Sequence, residues 1–308
     1  MPNGVWPVML SPFKKDGALD YEGLNDLINW YIDAGVSGLF AVCQSSEMFE
    51  LSLKERVSLA NNTIEFVNGR VPVIASGHVS FFIEEQIEEL LAMCETSIDS
   101  LVLITNRLAK QDDSDAVWIN NMEKLLKALP SNIKLGLYEC PYPYKRVLSK
   151  DCVKACVDSN RFTFLKDTSC SMKSISEKLE VMQGSGMKLF NANTATLLES
   201  LKIGASGYSG VMANYHPELY VYLCENFKKH LEFSEVLQSM LSATSLIELL
   251  SYPTNAKYYL KEEEKINIEQ LTRRRISDKI SDTEALQLHQ LKILTDDFKN
   301  RILSYSKN

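Results

Sequence analysis

Thr163-Phe-Leu-Lys-Asp-Thr-Ser169 ends a short apolar run that begins at Phe162 and carries one lysine, Lys166, before the chain turns polar. The run reads as a buried strand whose last residues open into solvent. Burial disfavours an ammonium and lowers its pKa, and a lysine amine that is neutral near pH 7 attacks a ketone to form a Schiff base. The other reading of Lys166 is a side chain that snorkels from the strand end or pairs with Asp167. The rest of the chain has to decide between them.

Runs of strand length recur at Val5 to Leu10, Gly38 to Val42, Val71 to Ala75, Ser100 to Ile104, Lys134 to Tyr138, Phe162 to Lys166, Lys188 to Asn191 and Gly207 to Met212. Several are continuous, as expected of parallel strands covered on both faces. Helical patterns separate them. Asp20 caps a helix with Leu24, Leu27, Ile28, Tyr31 and Ile32 on one stripe, ended by Gly35. Ser52 and Glu55 form a capping box for the next, with Val57, Ala60, Ile64 and Val67 on its buried side and Gly69 as its stop, and Ser174 with Glu177 repeats the box. Eight strand and helix units without a glycine-rich dinucleotide fingerprint predict an α/β fold, a (β/α)8 TIM barrel rather than a doubly wound sheet. After Pro217 the pattern is helical, with a long amphipathic helix carrying Leu291, Leu294, Phe298 and Ile302 on one face. The expected organisation is a catalytic barrel over residues 1–224 and a C-terminal helical domain over residues 225–308.

Apolar residues make up 45% of the 308 and charged residues 24%, a globular balance with room for a large core. A net charge of −7 argues against nucleic-acid and anionic-membrane partners. The Arg273-Arg274-Arg275 run reads as a solvated helix face. No apolar stretch approaches the roughly 20 residues that span a bilayer, and Met1-Pro-Asn-Gly-Val5 lacks a basic segment leading into an apolar one, so a cytoplasmic location is expected. Seven cysteines without a CxxC pair fit free thiols. Cys152 and Cys156 share a helix face but lack further ligands, so no metal site is expected.

Reacting groups in such barrels sit on the C-terminal ends of the strands and the loops that follow. Those ends read Ser11-Pro12, Cys43-Gln-Ser-Ser-Glu47, Ser76-Gly-His78, Asn106-Arg107, Tyr138-Glu-Cys-Pro141, Lys166-Asp-Thr168, Asn193-Thr194 and Ser209-Gly210. Tyr138 and Lys166 fall on adjacent strands, and an amine nucleophile needs a neighbouring acid or base to expel water from the carbinolamine. His78 is a candidate second acid or base, or a structural loop histidine. Asn193, Ser209 and Gly210 are candidates to line the pocket.

Nearly the whole chain resembles the dihydrodipicolinate synthase and N-acetylneuraminate lyase family of pyruvate-dependent class I aldolases. The resemblance rests on Ser11-Pro12-Phe13 with Asp16-Gly17, Asp20-Tyr-Glu-Gly-Leu24, Leu51-Ser-Leu-Lys-Glu-Arg56, Gly69-Arg-Val-Pro-Val-Ile-Ala75, Tyr138 with Pro141, Lys166-Asp167, and Gly207 through Asn214. It implies that Lys166 forms an imine with a 2-keto acid such as pyruvate or a keto-sugar acid, and that Tyr138 shuttles protons. No cofactor beyond the covalent lysine imine is then needed, and a homo-oligomer, dimer or tetramer, is expected. The family's Gly-Thr-Thr-Gly-Glu loop after strand two is here Cys43-Gln44-Ser45-Ser46-Glu47. Ser45 keeps a hydroxyl, and with the amides around it, including that of Ser46, can hold a carboxylate. Gln44 replaces a relay threonine, and an amide cannot relay a proton in the same way. It either bonds a substrate group or faces water.

The synthases' Pro-Tyr-Tyr segment after strand four is replaced by Thr105-Asn106-Arg107, and the position of their substrate-binding arginine, five residues beyond the tyrosine, is Pro143. Both departures speak against lysine-biosynthetic activity. Cations reappear as Arg107, Lys110, Lys145 and Arg146, and Arg107 is the candidate for a distal carboxylate or phosphate, or else pairs with a loop acid. The expected function is a Schiff-base lyase, aldolase or dehydratase, acting on a small 2-keto or sugar acid. The alternative is a catalytically silent barrel that binds a metabolite or regulates.

Overall fold

The computed structural model describes residues 1–274 and 279–305. Its first half runs β1 (Gly4–Val5), α1 (Tyr21–Asp33), β2 (Leu39–Val42), α2 (Leu53–Val67), β3 (Val73–Ala75), α3 (Ile83–Cys94), β4 (Ser100–Ile104) and α4 (Asp115–Ala128). The second half runs β5 (Leu135–Tyr138), α5 (Lys150–Asp158), β6 (Phe162–Asp167), α6 (Met172–Met182), β7 (Lys188–Asn191), α7 (Leu197–Lys202), β8 (Gly207–Tyr208) and α8 (Pro217–Asn226). Three helices follow, α9 (Leu231–Thr244), α10 (Thr254–Glu262) and α11 (Asp282–Tyr305). All strand pairs are parallel, in the order β1-β8-β7-β6-β5-β4-β3-β2. A bridge between Val8 and Phe40 joins the two ends of that order and closes the barrel. Its bonds run from Met9 N–H to the Phe40 carbonyl and from Phe40 N–H to the Pro7 carbonyl, each 3.0 Å.

Two strands, β1 and β8, are far shorter than the apolar runs suggest, and β3 starts at Val73 rather than Val71. Pro7 has no N–H to give to the ladder, so regular pairing of β1 stops at Val5, although Val8, Met9 and Leu10 stay buried. Likewise β8 ends at Tyr208, because the chain folds into a 3-10 turn over Val211–Asn214. The caps of α1 and α2 form as expected: Asp20 accepts from Gly23 N–H, and Ser52 and Glu55 make both halves of the box. The buried face of α2, however, carries Arg56, Leu59, Ala60, Thr63 and Val67, with Val57 and Ile64 only half-buried. Arg56 turns inward because Glu89 of α3 waits for it at 2.8 Å. The cap of α6 is Ser171, which accepts from the N–H of Ser174, so Ser174 lies inside the helix. On α11 the inward face is Leu288, Leu291, Thr295 and Phe298. Thr295 bonds buried His216 at 3.0 Å, which turns Leu294 outward.

The barrel interior is filled below its mouth by Trp6, Phe40, Phe164 and Phe190, with Phe164 and Phe190 stacked at 4.6 Å. Gly38 makes room for this layer, since a Cβ there would come within 2.3 Å of the Trp6 ring. Burying each such ring contributes about 1.5–3 kcal/mol.

Around the layer, β5, β6 and α6 are joined by a fully buried charge cluster. Lys178 of α6 bridges Glu139 and Asp167, each at 2.5 Å. Glu139 also accepts from the N–H groups of Leu148 and Thr168, at 2.8 and 2.9 Å. Burial disfavours the Lys178 ammonium, yet the two carboxylates hold its pKa above the ordinary value. The Lys178→Met variant would leave two carboxylates facing each other in a dry interior. It should lose about 3–5 kcal/mol of unfolding free energy in urea titrations. A loss under about 1 kcal/mol would show that the cluster is not the tie described here.

Candidate active site

Strand alternation divides the labour at the end of β6. Lys166 points into the barrel and Asp167 points out, where Lys178 holds it. Lys166 is 4% exposed, and its Nζ lies 4.3 Å from the centroid of the Tyr138 ring, the residue opposite it on β5. Among the described residues no carboxylate comes within ion-pair distance of it, so neither the snorkelling nor the Asp167-paired reading describes this lysine. Burial pulls its pKa down to about 8. Tyr138 is also buried, which keeps its phenol protonated.

The amine faces a cavity of about 230 Å³ at the C-terminal end of the barrel. Gln44, Ser45, Tyr138, Thr168, Asn193 and Gly210 line it from strand ends. The Gln44 Oε1 accepts from the Tyr138 hydroxyl at 3.4 Å and from Cys140 Sγ at 3.5 Å. Ser45 shares the lining with Tyr252, whose hydroxyl accepts from the Asn214 side-chain amide at 3.0 Å. Gly210 approaches so closely that a Cβ would fall 2.3 Å from the Tyr208 hydroxyl and 2.4 Å from the Ala192 carbonyl. Asn193 is set by bonds to the Asn191 side chain and to Thr196.

Other expected residues stand elsewhere. Ser46 is buried in its own turn, its hydroxyl exchanging bonds with the N–H and carbonyl of Cys43 at 2.8 and 2.7 Å. Ser209 is buried behind the lining, with its hydroxyl lacking a partner. His78 is fully buried outside the cavity: one ring nitrogen accepts from Ile104 N–H at 2.7 Å, and the other faces Gln86 at 3.0 Å. Arg107 is also outside the lining, stacked on Phe81 at 4.2 Å and near Phe49 at 5.4 Å. Arg146 is engaged by Asp115 and the Lys110 carbonyl. Lys145 does reach the cavity, donating to the Thr168 carbonyl at 2.8 Å.

Four lining residues come from beyond the barrel strands and were not anticipated: Glu248, Tyr252, Pro253 and Arg274. Their only sequence signal is weak, an acid set in the apolar stretch Leu246-Ile-Glu-Leu-Leu250. Glu47 explains how they are held. It turns back at φ +60° to a buried ion pair with Lys257 of α10 at 2.8 Å, and accepts the N–H groups of Arg273 and Arg274 at 2.6 and 2.9 Å. Arg273 in turn pairs with Glu55 at 2.6 Å. These two arginines therefore clamp the C-terminal segment to the mouth rather than form a solvated helix face, and Arg275 lies outside the described residues. Among the described residues no group of acids, histidines and cysteines is placed to hold a metal ion, and no helix is long and apolar enough to cross a membrane.

A barrel with a buried lysine on the sixth strand, opening on a small cavity, defines a class of enzyme with its chemistry at strand ends. Residues 1–263 match the dihydrodipicolinate synthetase family, and the chain belongs to that family. It is 25% identical to the 4-hydroxy-tetrahydrodipicolinate synthase of Methanococcus maripaludis strain C5 over 253 residues, 82% of this chain and 84% of that one. The corresponding enzyme of Shewanella piezotolerans is 23% identical over 248 residues, 79% and 83% of the two chains. Among solved structures, YagE of Escherichia coli K12, a prophage protein of the same family in complex with pyruvate, superposes with a TM-score of 0.83 at 22% identity, covering 96% of this chain and 98% of that one. CdNal of Clostridium difficile, in complex with mannosamine, gives 0.82 at 17% identity, covering 95% and 99%. The protein is a lyase of this pyruvate-dependent, aldolase-type family.

The buried histidines carry a pH signature. Burial lowers His78 to about 4 and His216 to about 3, against 6.5 when unfolded. Below pH 6.5 the unfolded chain binds protons that the native one does not, so stability falls as pH drops from 6.5 towards 4, by about 1.4 kcal/mol per pH unit for each histidine. The His78→Gln variant should show a shallower fall across that window in urea titrations; an unaltered slope would contradict this account of His78.

Proposed function

We propose that Lys166 condenses with the ketone of pyruvate or a related 2-keto acid to form a Schiff base. The observation that carries this reading is an amine buried without a counter-ion and aimed into the cavity. With its pKa near 8, about one molecule in ten carries the neutral nucleophile at pH 7. Tyr138, its ring beside the amine, assists proton transfer while water leaves the carbinolamine. Ser45 and neighbouring amides hold the keto acid's carboxylate. The enamine that follows adds to an aldehyde, reverses such an addition, or loses water from a sugar acid. The pyruvate bound to YagE supports the keto acid as first substrate.

The second substrate differs from that of the lysine-biosynthetic synthases. Pro143 occupies the position of their arginine, whereas Lys145 and Arg274 bring cations to the cavity from other directions. A partner molecule with its own acidic group fits that arrangement, and Arg107, stacked on Phe81, is not the group that receives it.

Incubation with pyruvate and borohydride should attach a reduced adduct to Lys166, located by peptide mapping and absent from Lys166→Ala. At subsaturating pyruvate the trapping rate should rise with pH through about 8, as the amine loses its proton. Failure with pyruvate and with a panel of larger 2-keto acids would remove the lyase mechanism. Once an acceptor is found, replacing Lys145 and Arg274 by Ala should raise KM for an acidic aldehyde about tenfold and leave a neutral one unaffected.

A further inference from the structure

Gln44 cannot relay a proton as a hydroxyl does, and burial makes the Tyr138 phenol a proton donor rather than a base, which leaves the C3 proton of a bound keto acid without an evident acceptor. Across the cavity from the strand ends, the 3-10 turn Ser245–Leu249 presents Glu248 among the lining residues. Among the described residues its carboxyl makes no hydrogen bond or ion pair, although it lies near enough to Lys166 for each to feel the other's charge. A carboxyl half-buried in the wall of the cavity that Lys166 faces, with no structural partner, has no evident role in holding the fold. We propose that Glu248 is the catalytic base that removes the C3 proton of the Lys166-bound keto acid, and the acid that returns it. The inference rests on the Schiff-base reading above.

In this step the Glu248 carboxylate takes a proton from C3. The C–H electron pair becomes the C2–C3 double bond, and the pair of the C2–N double bond moves onto nitrogen, so the cationic iminium becomes a neutral enamine. Return of the proton from the carboxylic acid to C3 reverses the step. Burial brings Glu248 up to about 7 in the free protein, with the Lys166 charge pulling the other way. The iminium keeps a positive charge beside it, so the base form prevails at or below neutral pH in the complex. The other ionisable groups facing this space are Lys145 and Arg274 at the mouth, Cys170, Tyr138 on β5, and Tyr252. Tyr208, Tyr215 and Tyr220 stand behind the turn. Burial raises all five tyrosines, so none of them ionises between pH 5 and 8.

Pyruvate alone suffices for the test, because proton removal exchanges its methyl hydrogens for deuterium in D2O, followed by NMR. At saturating pyruvate the wild-type exchange rate should rise with pH to a plateau at or below pH 7. In Glu248→Gln it should fall at least about 100-fold and lose that rise, while borohydride traps pyruvate on Lys166 to the wild-type extent. Glu248→Asp should recover part of the rate. Normal trapping with exchange within threefold of wild type in Glu248→Gln would overturn this inference alone. Loss of trapping together with a lowered melting temperature would also overturn it, by giving Glu248 a structural role. Absence of any adduct on the wild-type chain would sink this inference together with the Schiff-base reading.

Discussion

A buried ammonium without a counter-ion is the constraint around which this molecule is arranged. Desolvation alone would expel Lys166 or draw a carboxylate to it, and the nearest acid in sequence is the next residue. The pleat of β6 prevents that meeting by sending Asp167 to the outer face, where Lys178 neutralises it together with Glu139. Two lysines thus divide the charge: Lys178 takes the carboxylates and stays charged, and Lys166 takes none and loses its proton easily. Because Glu139 also receives the N–H groups of Leu148 and Thr168, the same cluster shapes the loops on either side of the amine.

The second tie runs from the barrel mouth to the C-terminal helices. Glu47 sits in the loop after β2, and in that position an acid is easily read as a substrate ligand. Its carboxylate instead anchors Lys257, within the interior, and the part-buried backbone of Arg273 and Arg274. Burial works against the Lys257 ammonium, and the Glu47 charge beside it and the Leu271 carbonyl offset that cost. Through this contact the segment that carries Glu248, Tyr252 and Arg274 is fixed as a wall of the cavity. The cavity that Lys166 faces therefore depends on residues far along the chain, although the strand of Lys166 is complete without them.

The barrel was legible because parallel strands buried on both faces leave continuous apolar runs, and β4, β7 and most of β2, β5 and β6 follow those runs closely. Where runs and strands disagree the cause is local: a proline without a donor in β1, a 3-10 turn after β8. The helix stripes shifted at Arg56 and Thr295, where a polar residue found a buried partner that periodicity cannot show. Among the site residues, Lys166, Tyr138, Gln44, Ser45, Asn193 and Gly210 converge because strand ends converge in any such barrel. His78 and Arg107 lie on strand ends too, yet each turned towards a nearer partner, a peptide N–H in one case and a phenyl ring in the other.

By itself the sequence determined the family, the closed alternation of strands and helices, and the place of the lysine and tyrosine, since these depend on short-range patterns of apolar and capping residues. Only the tertiary structure decided which charges meet. The Lys166 amine is solitary because its neighbours face elsewhere, and the cavity's acid and second cation arrive from a C-terminal segment whose position is set by a buried ion pair spanning more than two hundred residues of chain. Electrostatic neighbours at that separation leave no periodicity in the sequence, because their energy depends on distance in space and on the exclusion of water, neither of which is defined before the chain has folded.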